Sequence, residues 1–243
     1  METDTATSLR ELRDRARGPV KRITTFGPEA YADVESVLGQ FDATLTHEYL
    51  PIPESDSYLT VRSGDRHLGS VSAAALGDLR DPVERPPWDT ETRESAYREL
   101  VSLLSGTTFV MDDRRRLVAT AREIEDRAYR HGRGRLSVTF QSLSAFRAQV
   151  PAYRRLVGST DLEVVVFGTP DWEPPPIENV TVEPDTTGEL TEFWVVAFDG
   201  DGADGRKCAM IAEEADPDEY TGVVTYDPAV VDDLIEYLER AVD

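Results

Sequence analysis

The chain has 243 residues, 40% of them apolar, enough to bury most of its surface in one large domain or two small ones. Its 47 acidic against 26 basic residues give a formal charge of −21, which excludes nucleic acid and anionic membrane surfaces as partners unless basic residues gather locally. The lone cysteine, Cys208, excludes an intrachain disulfide and a cysteine-built zinc site, and no apolar run is long enough to span a membrane.

The start predicts a short helix with a capping box from Ser8 to Glu11, ended by Gly18-Pro19. "VKRITTF" (20–26) is β-branched enough for a strand, and Gly27-Pro28 turns into a helix whose apolar stripe is Ala30, Val34, Val37, Leu38 and Phe41. "ATLTHEYL" and "YLTVR" follow as strands. Ser63-Gly64-Asp65 then turns the chain into the strand "HLGSVS", and a short helix is predicted over 73–79. "DPVERPPWDTE" (81–91) holds three prolines and four acids, so it can neither continue a helix nor sit in a central strand. It divides a subdomain at 1–80 from a domain at 92–243.

Beyond this linker, a helix over 91–104 carries Ala96, Tyr97, Leu100, Val101 and Leu104 on one side, and "TTFVM" is a strand. The longest helix, 113–130, buries Leu117, Val118, Ala121, Ile124, Ala128 and Tyr129 while the charges of "REIEDR" fan across its other sides. "LSVTF" (136–140) is a strand; Phe146, Val150, Tyr153 and Leu156 form a helical face that Pro151 either kinks or restarts. "LEVVVF" (162–167) is apolar on both faces, as in a strand covered on both sides, and "DWEPPPIENV" is a proline-held loop. "EFWVVAF", "KCAMIAE" and "YTGVVTY" are strands, and Asp227-Pro228 caps a last helix striped by Val230, Val231, Leu234, Ile235, Leu238 and Val242. The fold class is therefore α+β (mixed α/β): a central mixed sheet flanked by helices, with a smaller N-terminal α/β subdomain.

The acid is spread along the chain, and 24 of the 26 basic residues are arginine, Lys21 and Lys207 being the exceptions. Together these point to a salty cytoplasm, in which charge repulsion is screened and hydrated carboxylates keep the surface soluble. The polar start, "METDTATSLRELRDRAR", adds no leader and agrees with a cytoplasmic protein. The dense basic runs, "RRR" at 114–116 and "RHGRGR" at 130–135, read as partners of neighbouring carboxylates.

"FWVVAFDGDGADGRKCAMIAEE" (193–214) tests whether an acidic glycine-rich loop beside the cysteine is a metal or phosphate site. Alternation puts Phe193, Val195 and Ala197 on one face and Trp194, Val196 and Phe198 on the other, so the strand is central. Cys208 shares a face with Met210 and Ala212 and is buried, with little nucleophilicity. Set against a calcium-loop pattern, Asp204 stands where a glycine is needed and Met210 where a bidentate glutamate belongs. A glycine-rich hairpin loop accounts for the stretch. His47, His67 and His131 lack metal-ligand spacing, and no nucleophile elbow, zinc helix, Walker loop or dinucleotide fingerprint occurs. Neither a catalytic residue, a metal site nor a cofactor is assigned.

The order "ITTFGP … SYLTVRSGDRHLGSVS" returns as "VVVFGTP … EFWVVAFDGDGADGRKCAMIA". Duplication and convergence on a small alphabet of turn residues account for this equally well. Comparing 20–79 with 162–226 decides between them, a different strand order counting against duplication.

"REIEDRAYRHGRGRLSVTFQSLSAF", "VVVFGTPDW", "FWVVAFDG", "KCAMIAEE" and "VVTYDPAVVDDLIEYL", in this order and spacing, resemble the DICT sensory domain in its haloarchaeal form, over residues 95–240. The resemblance implies an α+β signalling module with no chemistry of its own. Members are often fused to output domains, and no cyclase, kinase or DNA-binding motif is present here.

The first functional expectation is thus a non-enzymatic sensory module that binds a small ligand or a signalling protein and passes on a change of shape. Its ligand-binding residues are expected where strands end among aromatics: Phe140 and Gln141 after "LSVT", and Asp171 and Trp172 after "VVVFG", with a buried Gln141 orienting the ligand. The alternatives are a homodimeric scaffold using the outer face of 113–130 or 228–242, and an enzyme of unrecognised type.

Overall fold

The computed structural model describes residues 8–29, 38–73, 94–111, 114–185, 188–216 and 219–240, with backbone alone at 94–98. The predicted stripe residues Ala30, Val34, Val37 and Val242, the predicted helix over 73–79 beyond Ala73, the side chains of Ala96 and Tyr97, and the linker at 81–91 lie outside the described residues.

Six helices and eleven strands form two mixed sheets among the described residues. Helix α1 (Leu9–Arg15) begins at Ser8, whose hydroxyl accepts from the Glu11 amide at 3.1 Å. Strands β1 (Lys21–Gly27), β2 (Ala43–Tyr49), β3 (Tyr58–Ser63) and β4 (Arg66–Ser72) make the smaller sheet, in the order β2-β1-β3-β4. Here β1 is parallel to β2 and antiparallel to β3, and β3 and β4 form a hairpin across Gly64.

Helix α2 (Glu94–Leu103), strand β5 (Thr108–Met111) and helix α3 (Arg114–His131) lead into β6 (Arg133–Ser142). Two helices, α4 (Leu143–Phe146) and α5 (Val150–Gly158), carry the chain to β7 (Asp161–Thr169). Pro151 sits in the first turn of α5, so it restarts the helix instead of kinking one: its missing N–H is an unpaired group there anyway. After β8 (Val180–Pro184) come β9 (Phe193–Phe198), β10 (Cys208–Asp216), β11 (Glu219–Thr225) and α6 (Pro228–Arg240), whose first turn is capped by the Asp227 carboxylate accepting from the Ala229 amide at 3.0 Å. The larger sheet runs β5-β11-β10-β9-β6-β7-β8, parallel across β6-β7-β8 and antiparallel elsewhere. This is the mixed α/β fold that the patterning predicts, with β8 as an added strand.

Strands β9 and β10 are central and alternate as read. Trp194, Val196, Phe198, Cys208, Met210 and Ala212 face the main core, with α3 over them and α4 and α5 over the neighbouring β6 and β7. Phe193, Val195, Ala197, Ala209 and Ile211 face a second cluster closed by Leu9 and Leu12 of α1 and by Val231, Leu234 and Leu238 of α6. Helix α1 therefore packs on the larger sheet. The main core also takes in Ile23, Leu59 and Val61 from the smaller sheet, and the two sheets are tied by backbone bonds from Val110 to Gln40 and from Asp42 to Thr108, both 2.8 Å.

The proposed match of 20–79 with 162–226 does not hold, because β7 neighbours β6 and β8 and is separated from β9 by β6. The four-strand order of the smaller sheet does recur from a different start: β7-β6-β9-β10 repeats β2-β1-β3-β4 with the same parallel and antiparallel senses.

Candidate functional site

Where β6 ends, β9 begins beside it, and α3 on one side and α4–α5 on the other leave a cleft of about 280 Å³. A crevice at strand ends where the chain leaves a sheet is the usual place for a ligand in such folds. Val138 and Val196 form the floor, Val118 and Ala121 of α3 one wall, and Phe140 and Trp194 the aromatic edges. Behind Phe140, Phe146 and Tyr153 stand at ring-centroid distances of 5.2 and 6.3 Å, which holds the Phe140 ring in place.

Set into these apolar walls is a polar array. Glu125 on α3 is 5% exposed, and its Oε1 accepts from the Tyr153 hydroxyl at 2.7 Å. Its other oxygen accepts from Arg122, one turn earlier on the same helix, and Arg122 also donates to the Gln149 side-chain oxygen. Burial, and then the Glu125 charge, push the Tyr153 hydroxyl well above its ordinary range, so Tyr153 keeps its proton and acts as donor. At the mouth, the Arg114 guanidinium lies over the Trp194 ring, 5.6 Å from its centroid.

Of the four residues expected to bind ligand, Phe140 and Gln141 line this cleft, and Asp171 and Trp172 do not. Gln141 is exposed, not buried as expected, and its amide donates to Glu214 at the end of β10. The alternation along β6 that buries Thr139 carries Gln141 past the covered part of the sheet. Asp171 accepts from the Ser144 amide at 2.8 Å and its hydroxyl at 2.5 Å, and so caps α4. Trp172 is half-buried against the main core, with the Arg147 guanidinium 4.8 Å from its ring centroid. Helix α4 stands between the two pairs, since Ala145 faces the cleft and Arg147 faces Trp172.

Sequence reasoning missed Arg114, Arg122, Glu125, Gln149, Tyr153 and Trp194 as cleft residues. It fanned the "REIEDR" charges across the sides of α3 away from its one buried stripe, whereas Glu123, Glu125 and Asp126 are only 7, 5 and 5% exposed. Helix α3 is covered along its flank as well as on its apolar stripe. The available signal was the i, i+3 pair Arg122 and Glu125, an arrangement that can carry a carboxylate under cover.

The loop at 199–206 is closed by its own chain. The Asp199 carboxylate accepts from the Arg135 and Asp201 amides, both at 2.8 Å, and Asp201 accepts from Arg133 at 2.7 Å and meets His131 at 3.2 Å. His131 and Arg133 accordingly hold the Asp201 carboxyl below its ordinary value. Gly134 makes this possible: at φ +100 it lets β6 start beneath the loop, where a Cβ would stand 2.6 Å from the Asp199 Oδ1. Among the described residues, no group of three or more His, Cys, Asp or Glu is placed to hold a metal ion, and no helix is long and apolar enough to cross a membrane.

The chain resembles a chain of solved structure, polyphosphate kinase from Porphyromonas gingivalis, at 14% identity and a TM-score of 0.40, over 97% of this chain and 48% of that one. The chain thus spans about half the length of that enzyme. No curated protein matches. The family described as the sensory domain in diguanylate cyclases and two-component systems, DICT, matches residues 94–215, half of the chain, and this segment supplies every cleft residue named above. The chain belongs to the DICT family of sensory domains.

Proposed function

We propose that this chain is a non-enzymatic sensory module whose cleft between α3, the end of β6 and the start of β9 binds a small ligand, occupancy being passed on as a change of shape. The observation that carries this reading is the Arg122–Glu125–Tyr153 array, buried in an aromatic-edged cleft within the family-matched segment. A largely covered polar network of this kind does little for stability compared with apolar packing, so it fits recognition better than scaffolding. The absence of chemistry is supported by the state of the candidate groups: the Tyr153 hydroxyl stays protonated, and the Cys208 thiol is buried in the core.

The test is native mass spectrometry of the gently purified full chain, beside the variants Trp194→Ala and Ala145→Trp. Trp194→Ala removes an aromatic edge, and Ala145→Trp fills the cleft from α4. We expect a small molecule retained by the parent and lost from both variants. Retention by the filled variant would refute the assignment of the cleft.

A further inference from the structure

The chemistry of the cleft says what kind of ligand fits, granted that the cleft is the ligand site. In a chain of formal charge −21, its charged lining residues are Arg114, Arg122 and Glu125, two cations to one anion. Glu125 is matched by Arg122 through a direct ion pair. The positive charge in excess is that of Arg114, which lies at the mouth, exposed, with its guanidinium over the Trp194 ring. A flat cation on an aromatic face is a ready-made seat: a second flat ring can slide against Trp194 and Phe140, while the guanidinium turns to meet an acid group.

Deeper in, Val118, Ala121, Val138 and Val196 suit a flat ring, and the charges beside them, Arg122 and Glu125, are already paired with each other, so a second acid group on the ligand gains little there. The volume of about 280 Å³ accommodates a two-ring molecule and excludes a dinucleotide. We infer that the cleft binds a small aromatic anion, a one- or two-ring compound bearing a single carboxylate or phosphate, with its ring between Phe140 and Trp194 and its acid group on Arg114. The acidic surface of the chain argues in the same direction, because a cationic ligand would be drawn to many carboxylates outside the cleft, whereas an anion finds its favourable site at the mouth.

The inference is tested by calorimetric titration of the full chain, at the lowest salt that keeps it folded, with four probes of one shape: naphthoate, naphthyl phosphate, naphthylmethanol and naphthylmethylammonium. We expect at least one anion to bind about tenfold or more tighter than the neutral alcohol, the worth of one charge-assisted hydrogen bond. Arg114→Gln should abolish that preference, so that the anions and the alcohol bind the variant alike. Preference between the two anions tells a carboxylate ligand from a phosphate one. If the alcohol or the ammonium probe binds as well as the anions in a manner abolished by Ala145→Trp, the anionic class is wrong and the cleft assignment stands. If no probe binds and no molecule is retained on purification, both fall.

Discussion

At the scale of single residues, the same core burial sets two hydroxyl and thiol groups on different courses. Tyr153 is covered but finds the Glu125 carboxylate at 2.7 Å, so it becomes part of a polar array that holds α3 against α5. Cys208 is covered on β10 among apolar neighbours, and burial pushes its thiol from an ordinary 9.0 up to about 12. The thiolate, which is the nucleophile, is therefore suppressed at neutral pH. The folded state favours the protonated thiol, so this contribution to stability is fully present below pH 9.0 and is lost as the pH rises toward about 12. Two outcomes follow. A thiol reagent at pH 8 should label Cys208 only at the rate at which the chain unfolds, and fully in denaturant; fast labelling of the native chain would show the thiol to be open. Alkaline unfolding of Cys208→Ala should be less steep between those two values than that of the parent.

Among the elements, legibility followed the width of the pattern. Strands β9 and β10 were readable to the face, because six residues in the first and the leading five in the second carry an aromatic or apolar group on both sides. Strand β8 was not, because "VTVEP" is short, lies at the sheet edge, half-exposed, and follows a proline-rich loop that masks it. The separation of α4 from α5 was legible only as an ambiguity at Pro151. What sequence could not supply is that α4, a four-residue helix, is capped from the turn after β7 by Asp171, twenty-seven residues from Ser144 in the chain. This cap carries a prediction. The Ser144 hydroxyl and amide hold the Asp171 carboxyl below its ordinary 3.8, so its support of α4 is present above that value and is lost as the pH falls through the lowered one. Asp171→Ala should lower the melting temperature modestly at pH 7 and flatten its decline in acid. Asp171→Asn should keep most of the cap at pH 7 yet show the same flattened acid limb. An unchanged acid limb in both variants would mean that Asp171 does not hold the helix.

For the whole molecule, four strands of the larger sheet repeat the order of the smaller one, and the main core takes in side chains from both. Of the four residues that sequence reading expected to meet a ligand, half, Phe140 and Gln141 at the end of β6, line the cleft. That reading placed the other half at the end of β7 because strand ends in sequence do not reveal which of two crevices a helix will divide. The walls of the cleft come from α3 and β9, eighty residues apart at Arg114 and Trp194, and only tertiary structure joins them.

Charge acts at this same scale. We propose that the chain is adapted to high salt, the argument resting on its −21 formal charge and on arginine standing in for lysine at 24 of 26 basic positions. Many of those arginines are tied down in pairs, such as Arg130 with Asp126 at 3.0 Å and Arg133 with Asp201 at 2.7 Å, and salt weakens such surface pairs as it screens. Against that loss stands the repulsion among the carboxylates in excess, 47 against 26, which salt relieves across the entire surface. Repulsion outweighs the pairs, since each exposed pair contributes only about 0–1 kcal/mol. Thermal melts from dilute buffer to molar potassium chloride should therefore show the melting temperature rising with salt throughout. A maximum in dilute buffer would mean that the pairs prevail over the repulsion, and the adaptation to salt would have to be given up.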